Sequence, residues 1–143
     1  MASGFLFFAY GEMASEAAME KVDELCDLMG VAKVPDHKLS FTKEGFPNFK
    51  PEAGASVWGT LWMVPATSMD RLDALATARG LTRGVEFVIS PAGPRVPATV
   101  YSRADAEDGK PDPILLRDAL LAANELKLDR RYRKELEGWR EAN

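Results

Sequence analysis

Ser56-Val57-Trp58-Gly59-Thr60-Leu61-Trp62-Met63-Val64 is the stretch on which the fold turns. Aromatic and β-branched residues fill it, which marks a strand packed on at least one face. Gly59 at its centre predicts a bulge or the close approach of another backbone. Toward the amino end, Phe5 to Ala9 is apolar at every position, as in a strand covered on both faces. That strand runs into a turn, Tyr10-Gly11-Glu12. A helix capped by Ser15 follows, with Ala18, Val22, Leu25, Cys26 and Met29 on its apolar face and Gly30 as its closing glycine. Between Val34 and Glu52 the prolines 35, 47 and 51 predict irregular chain, with one short strand through Leu39 and Phe41 and a loop over Lys43–Pro51.

Toward the carboxyl end, Thr67 or Ser68 caps a helix that carries Leu72, Leu75 and Ala76 and ends at Gly80. Val85, Phe87 and Ile89 alternate with polar residues, as do Val96, Ala98 and Val100. Pro91-Ala92-Gly93-Pro94 between them predicts a hairpin, and Pro97 puts its second strand at an edge or bulge. Asp112-Pro113 reads as a helix start. Asp129 caps a last helix with Tyr132, Leu136 and Trp139 on one face. The predicted order is β-α-β-β-α-β-β-α-α. It implies an α+β fold, a mixed sheet or small β-barrel with flanking helices, as one domain over residues 1–143.

Composition narrows the chemistry. Of 143 residues, 22 are Asp or Glu and 18 Lys or Arg, a net charge of −4 that argues against nucleic acid as a partner. One cysteine, Cys26, excludes an internal disulfide framework, and one histidine, His37, excludes an all-histidine metal centre. No apolar run approaches the ~20 residues of a bilayer span, and Met1–Tyr10 lacks the basic start of a signal peptide. The expectation is a cytoplasmic protein, a monomer or homodimer, with no membrane association, cofactor or metal. An enzyme of this inventory works with carboxylates, hydroxyls, arginines and backbone amides on a small molecule.

Phe7-Phe8-Ala9-Tyr10-Gly11 resembles the opening of the γ-glutamylcyclotransferase-like family, which includes the AIG2-like proteins. Val34-Pro35-Asp36-His37-Lys38-Leu39-Ser40-Phe41-Thr42 and Gly54-Ala55-Ser56-Val57-Trp58-Gly59-Thr60-Leu61-Trp62 resemble its next two strand regions. Leu72-Asp73 with Gly80 and Gly84, then Pro111-Asp112, Ala122-Ala123, Leu128-Asp129 and Tyr132, fall in its order. The resemblance spans Phe5 to Leu136. It implies a small mixed β-barrel with a cavity where the tyrosine-glycine loop meets later strands. There, Ala9, Tyr10, Gly11 and Met13 would bind substrate, and a single glutamate would pass protons while the substrate's own amine attacks its γ-carbonyl.

Four positions depart from that pattern. Arg79 stands where the family keeps its glutamate, and no acid occurs from Ala74 to Val85. Glu12 replaces the loop serine, Glu86 the tyrosine after the second glycine, and Leu115 a tyrosine of the carboxyl-terminal motif. Glu12 could be a surface acid in a helix's first turn, worth ~0.3–1 kcal/mol. The cavity reading is preferred because the glycine turn points this position inward. Glu86 is equally readable as a solvated strand residue or a barrel acid. Arg79 could complement a helix end or clamp a carboxylate, either a ligand's or that of Glu12 or Glu86. Tyr10 and Tyr132 match family positions and also suit a core with bonded hydroxyls. His37 and Cys26 read as structural, and Arg130, Arg131, Arg133 and Lys134 as a solvated helix face.

Three functions follow. The preferred one is a small-molecule enzyme whose Glu12, with Glu86, supplies the acid/base chemistry of a lyase, cyclisation or hydrolysis reaction; Tyr10, Arg79 and Tyr132 contact its substrate. The alternatives are a true cyclotransferase releasing 5-oxoproline and a non-catalytic binding protein.

Overall fold

The computed structural model describes residues 4–141. Met1–Ser3, the first positions of the segment read as the opening strand, lie outside them. Five strands close into a barrel: β1 (Gly4–Tyr10), β2 (Asp27–Phe41), β3 (Pro47–Pro65), β4 (Thr82–Ile89) and β5 (Arg95–Ser102), in the spatial order β1-β3-β2-β4-β5. Four helices flank it: α1 (Glu16–Val22), α2 (Met69–Ala78), α3 (Pro113–Glu125) and α4 (Arg130–Glu141). Pairings are antiparallel except the one that shuts the barrel, where β1 meets β5 in parallel at Phe7 and Thr99. The sheet is mixed and the fold α+β, as the sequence predicts.

The all-apolar β1 is covered on both faces. Phe8 and Tyr10 enter the barrel core with Val34, Phe41, Phe49 and Val57, whereas Phe7 and Ala9 pack outside it with Met19, Leu72 and Ala76 beneath α1 and α2. Gly59 sits opposite Tyr10, and a Cβ there would lie 2.0 Å from the Ala9 carbonyl oxygen. The close approach predicted for it is real, and it lets β1 lie flat on β3.

Two readings need correction. The helix after Ser15 stops at Val22, seven residues before Met29. Ser15 does cap it, accepting from the Ala18 amide at 3.1 Å. Asp23 ends it, because its carboxylate accepts the Leu25 amide at 2.8 Å and the Ser68 hydroxyl at 2.7 Å, drawing the backbone out of the helix. Leu25 is consequently 71% exposed, and Gly30 lies within β2. The second correction is β2 itself. The stretch read as irregular, Val34–Glu52, is mostly strand: β2 pairs with β3 from Asp27 to Phe41, with register shifts at Leu28/Gly30 and Pro35/His37, and the loop read over Lys43–Pro51 is already β3 from Pro47 onward. Glycine and proline mark bulges there and do not mark loops.

The hairpin β4–β5 pairs as expected. Asp112 caps α3 through the Ile114 and Leu115 amides. Asp129 accepts the Tyr132 amide at the start of α4, which buries Tyr132 and Leu136 and sets Trp139 edge-on to Phe41. Ser68 precedes α2 without a side-chain capping bond, its hydroxyl being committed to Asp23.

Candidate functional site

At the end of β1 the chain turns at Gly11, whose φ of +65° and contact with Pro47 exclude a side chain. A short 3₁₀ turn, Gly11–Ala14, follows. It is tied down by a relay: the Trp62 indole donates to the Thr60 hydroxyl at 2.8 Å, and that hydroxyl donates to the Ala14 carbonyl at 2.9 Å. Glu12 is thereby fixed facing the end of α2, where Arg79 closes the helix ahead of Gly80.

The two side chains form a two-pronged ion pair, Nη1 to Oε1 at 2.9 Å and Nη2 to Oε2 at 3.1 Å. Glu12 is 11% and Arg79 24% exposed, so the pair is shielded from bulk solvent. The Phe46 ring lies 5.0 Å from the guanidinium carbon and holds the fork flat. Such a geometry suits carboxylate recognition. Of the readings of Arg79, partnership with Glu12 is the one realised.

Behind the pair lies a cavity of about 80 Å³ between β1 and α2. Ala9, Tyr10 and Met13 line it, with Glu12 and Arg79 at one side, while Gly11 is not among its lining residues. Phe7, Leu72, Leu75, Ala76 and Leu81 form most of the remaining wall. Tyr101 also lines it, a residue that sequence reasoning missed. Tyr101 is out of phase with Val96, Ala98 and Val100 and packs with Phe7 outside the barrel; two successive large apolar residues, Val100 and Tyr101, are the signal of a strand end covered on both faces. Its hydroxyl donates to Asp73 at 2.7 Å, and Asp73 lies 3.3 Å from Arg83. Burial, then the acceptor bond to Asp73, pushes the Tyr101 phenol above its ordinary pKa. The Tyr10 hydroxyl donates to the Tyr101 carbonyl at 2.6 Å; burial first, then the nearby Tyr132, raises its pKa as well. On the far side of the ion pair a wider groove of about 560 Å³ runs between α1, α2 and α3, with Leu115 and Leu121 on its walls.

Glu86 and Tyr132 are not brought to this cavity. Glu86 sits on β4 opposite Ala98, 39% exposed, its carboxylate 3.8 Å from His37 Nε2. His37 Nδ1 lies 2.9 Å from the Pro35 carbonyl, so the pair bridges β2 and β4 apart from the cavity. Glu86 does alternate with Val85 and Phe87, but those two apolar residues are themselves exposed on β4. Tyr132 is buried in the barrel core. Among the described residues, no group of three or more His, Cys, Asp or Glu could hold a metal ion, and no helix is long and apolar enough to cross a membrane.

Comparison with known proteins agrees with this architecture. The model of the family described as gamma-glutamyl cyclotransferase, AIG2-like, matches residues 7–118. A gamma-glutamylcyclotransferase of Bos taurus is 25% identical over 144 residues, covering 92% of this chain and 77% of its own. A solved gamma-glutamyl cyclotransferase superposes with a TM-score of 0.84 at 21% identity, over 94% of this chain and 87% of that one. An AIG2-like protein from Mus musculus gives a TM-score of 0.61 at 20% identity, over 80% and 83%. With a family match from β1 into α3 and a barrel of the same build, the chain belongs to the gamma-glutamyl cyclotransferase, AIG2-like family.

Proposed function

We propose that this protein is a small-molecule enzyme of the cyclotransferase scaffold whose acid/base group is Glu12, acting on a substrate with a zwitterionic, amino-acid-like end. The Glu12–Arg79 fork at the cavity carries this reading. A free ammonium and carboxylate can enter such a pair by exchange: the ligand's carboxylate takes Arg79, and its ammonium takes Glu12. Each buried charge stays compensated, which a singly charged ligand could not achieve. Glu12, released from its fixed cation, then accepts a proton from the ammonium and leaves a neutral amine as nucleophile. The same carboxyl returns the proton to the departing group, so one residue serves as base and then acid. Cyclisation, elimination and hydrolysis all need that service.

Glu86, paired with His37 elsewhere, has no part in this scheme. Ordinary cyclotransferase activity is not favoured, because Arg79 occupies the place where the resemblance puts the family's glutamate. Incubation with γ-glutamyl dipeptides and glutathione is expected to release no 5-oxoproline. Glu12→Gln is expected to lower turnover of the true substrate by about 10²–10⁴-fold; an unimpaired variant overturns the proposal. The clamp on Glu12 also supports a second reading, a non-catalytic receptor for the same zwitterion. A ligand that raises the melting temperature and is recovered unchanged would favour it.

A further inference from the structure

Resting on that reading, we infer that the cavity behind the ion pair is a chamber for a short apolar side chain, so that the ligands are small aliphatic α-amino acids or compounds ending in one. The chamber wall is hydrocarbon over most of its extent: Phe7, Leu72, Ala76 and Leu81 with Met13 and Pro47. Two hydroxyls reach this region, and both are already committed: Tyr10 to the Tyr101 carbonyl and Tyr101 to Asp73. Each is a donor satisfied inside the protein, so neither is free to donate to a polar ligand without breaking a bond. The remaining side-chain charges on the wall are Glu12 and Arg79, and the ligand's head group engages those. A side-chain amide or carboxylate inserted here would lose its water and gain no protein side-chain donor in exchange. An alkyl chain loses nothing of the kind.

Size sets the length. A volume of about 80 Å³ equals roughly three water-sized units at about 30 Å³ each, enough for about three carbons. Ala76 and Leu81 line this space and not the wider groove, which shares Glu12, Met13, Leu75 and Arg79 with it.

Isothermal titration of the full chain with L-alanine, L-2-aminobutyrate, L-norvaline and L-norleucine tests the inference. Affinity is expected to rise by about fourfold per methylene up to norvaline and to stop rising at norleucine. L-Glutamine and L-glutamate should bind at least about tenfold more weakly than norvaline. Ala76→Leu should move the optimum to a shorter chain; should that variant fail to fold, Leu81→Ala should move it to a longer one. A flat series, or glutamine binding as tightly as norvaline, overturns the chamber and leaves the zwitterion reading intact. No binding by any of these amino acids or by γ-glutamyl dipeptides overturns the zwitterion reading, and the chamber with it.

Discussion

Glu12 and Arg79 compensate each other across the chain, one at a turn after β1 and one at the end of α2. Removing either leaves a shielded charge without its partner. With both side chains largely out of solvent, Glu12→Gln is expected to destabilise by ~1–3 kcal/mol, less than the 3–5 kcal/mol of a fully buried pair. The double variant Glu12→Gln/Arg79→Gln should cost less than the two singles added, by ~0.5–3 kcal/mol. Urea denaturation of the four proteins measures that coupling, and strict additivity would show that the pair contributes nothing. The sequence displays both substitutions against the family pattern and offers Glu12 as one of several partners for Arg79, but with sixty-seven residues between them it does not choose. Only the fold shows that an acid gained at the turn answers a cation gained at the helix end. Glu86 is the counter-example: the same family logic marks it, and the barrel gives it to His37.

Elements were legible where a local rule decides them. The hairpin β4–β5, the Asp112-Pro113 start of α3 and the tight spot at Gly59 each depend on a few neighbouring residues. The ends of α1 and β2 were not legible, because distant partners decide them. Ser68, forty-five residues away, donates to Asp23 and helps break α1; β3 supplies the hydrogen bonds that make a strand of proline-bearing chain. Those two bonds to Asp23, from Ser68 first and the Leu25 amide second, hold its carboxyl below the ordinary range. A lowered folded pKa means the contribution is full above the usual value of about 3.9 and is lost as pH falls through the folded value. The acid side of the stability profile, read from denaturation midpoints between about pH 2 and about pH 5, should therefore be flatter in Asp23→Asn. Superimposable profiles for the two proteins would remove Asp23 from the account.

At the scale of the whole molecule, all three tyrosines are buried and all three phenols are raised above their ordinary pKa, Tyr10, Tyr101 and Tyr132 each chiefly by burial. Unfolded tyrosine ionises near pH 10. With the folded values higher, the native state holds protons that the unfolded state releases, so stability is full below about pH 10 and falls as pH climbs beyond it. Tyrosinate absorbance should then appear together with loss of circular dichroism in one transition. Phenols titrating near pH 10 in a still-folded protein would contradict the burial.

The parallel seam between β1 and β5 has a kinetic meaning. Phe7 and Thr99 are far apart in the chain, so the ring shuts only after a long loop has been closed against its entropy. Phe7 on one lip of that seam and Tyr101 near the other both wall the same chamber. The chamber therefore exists only while the ring is shut. A guest inside it acts as a clasp, and occupancy should lengthen the lifetime of the folded protein against a protease.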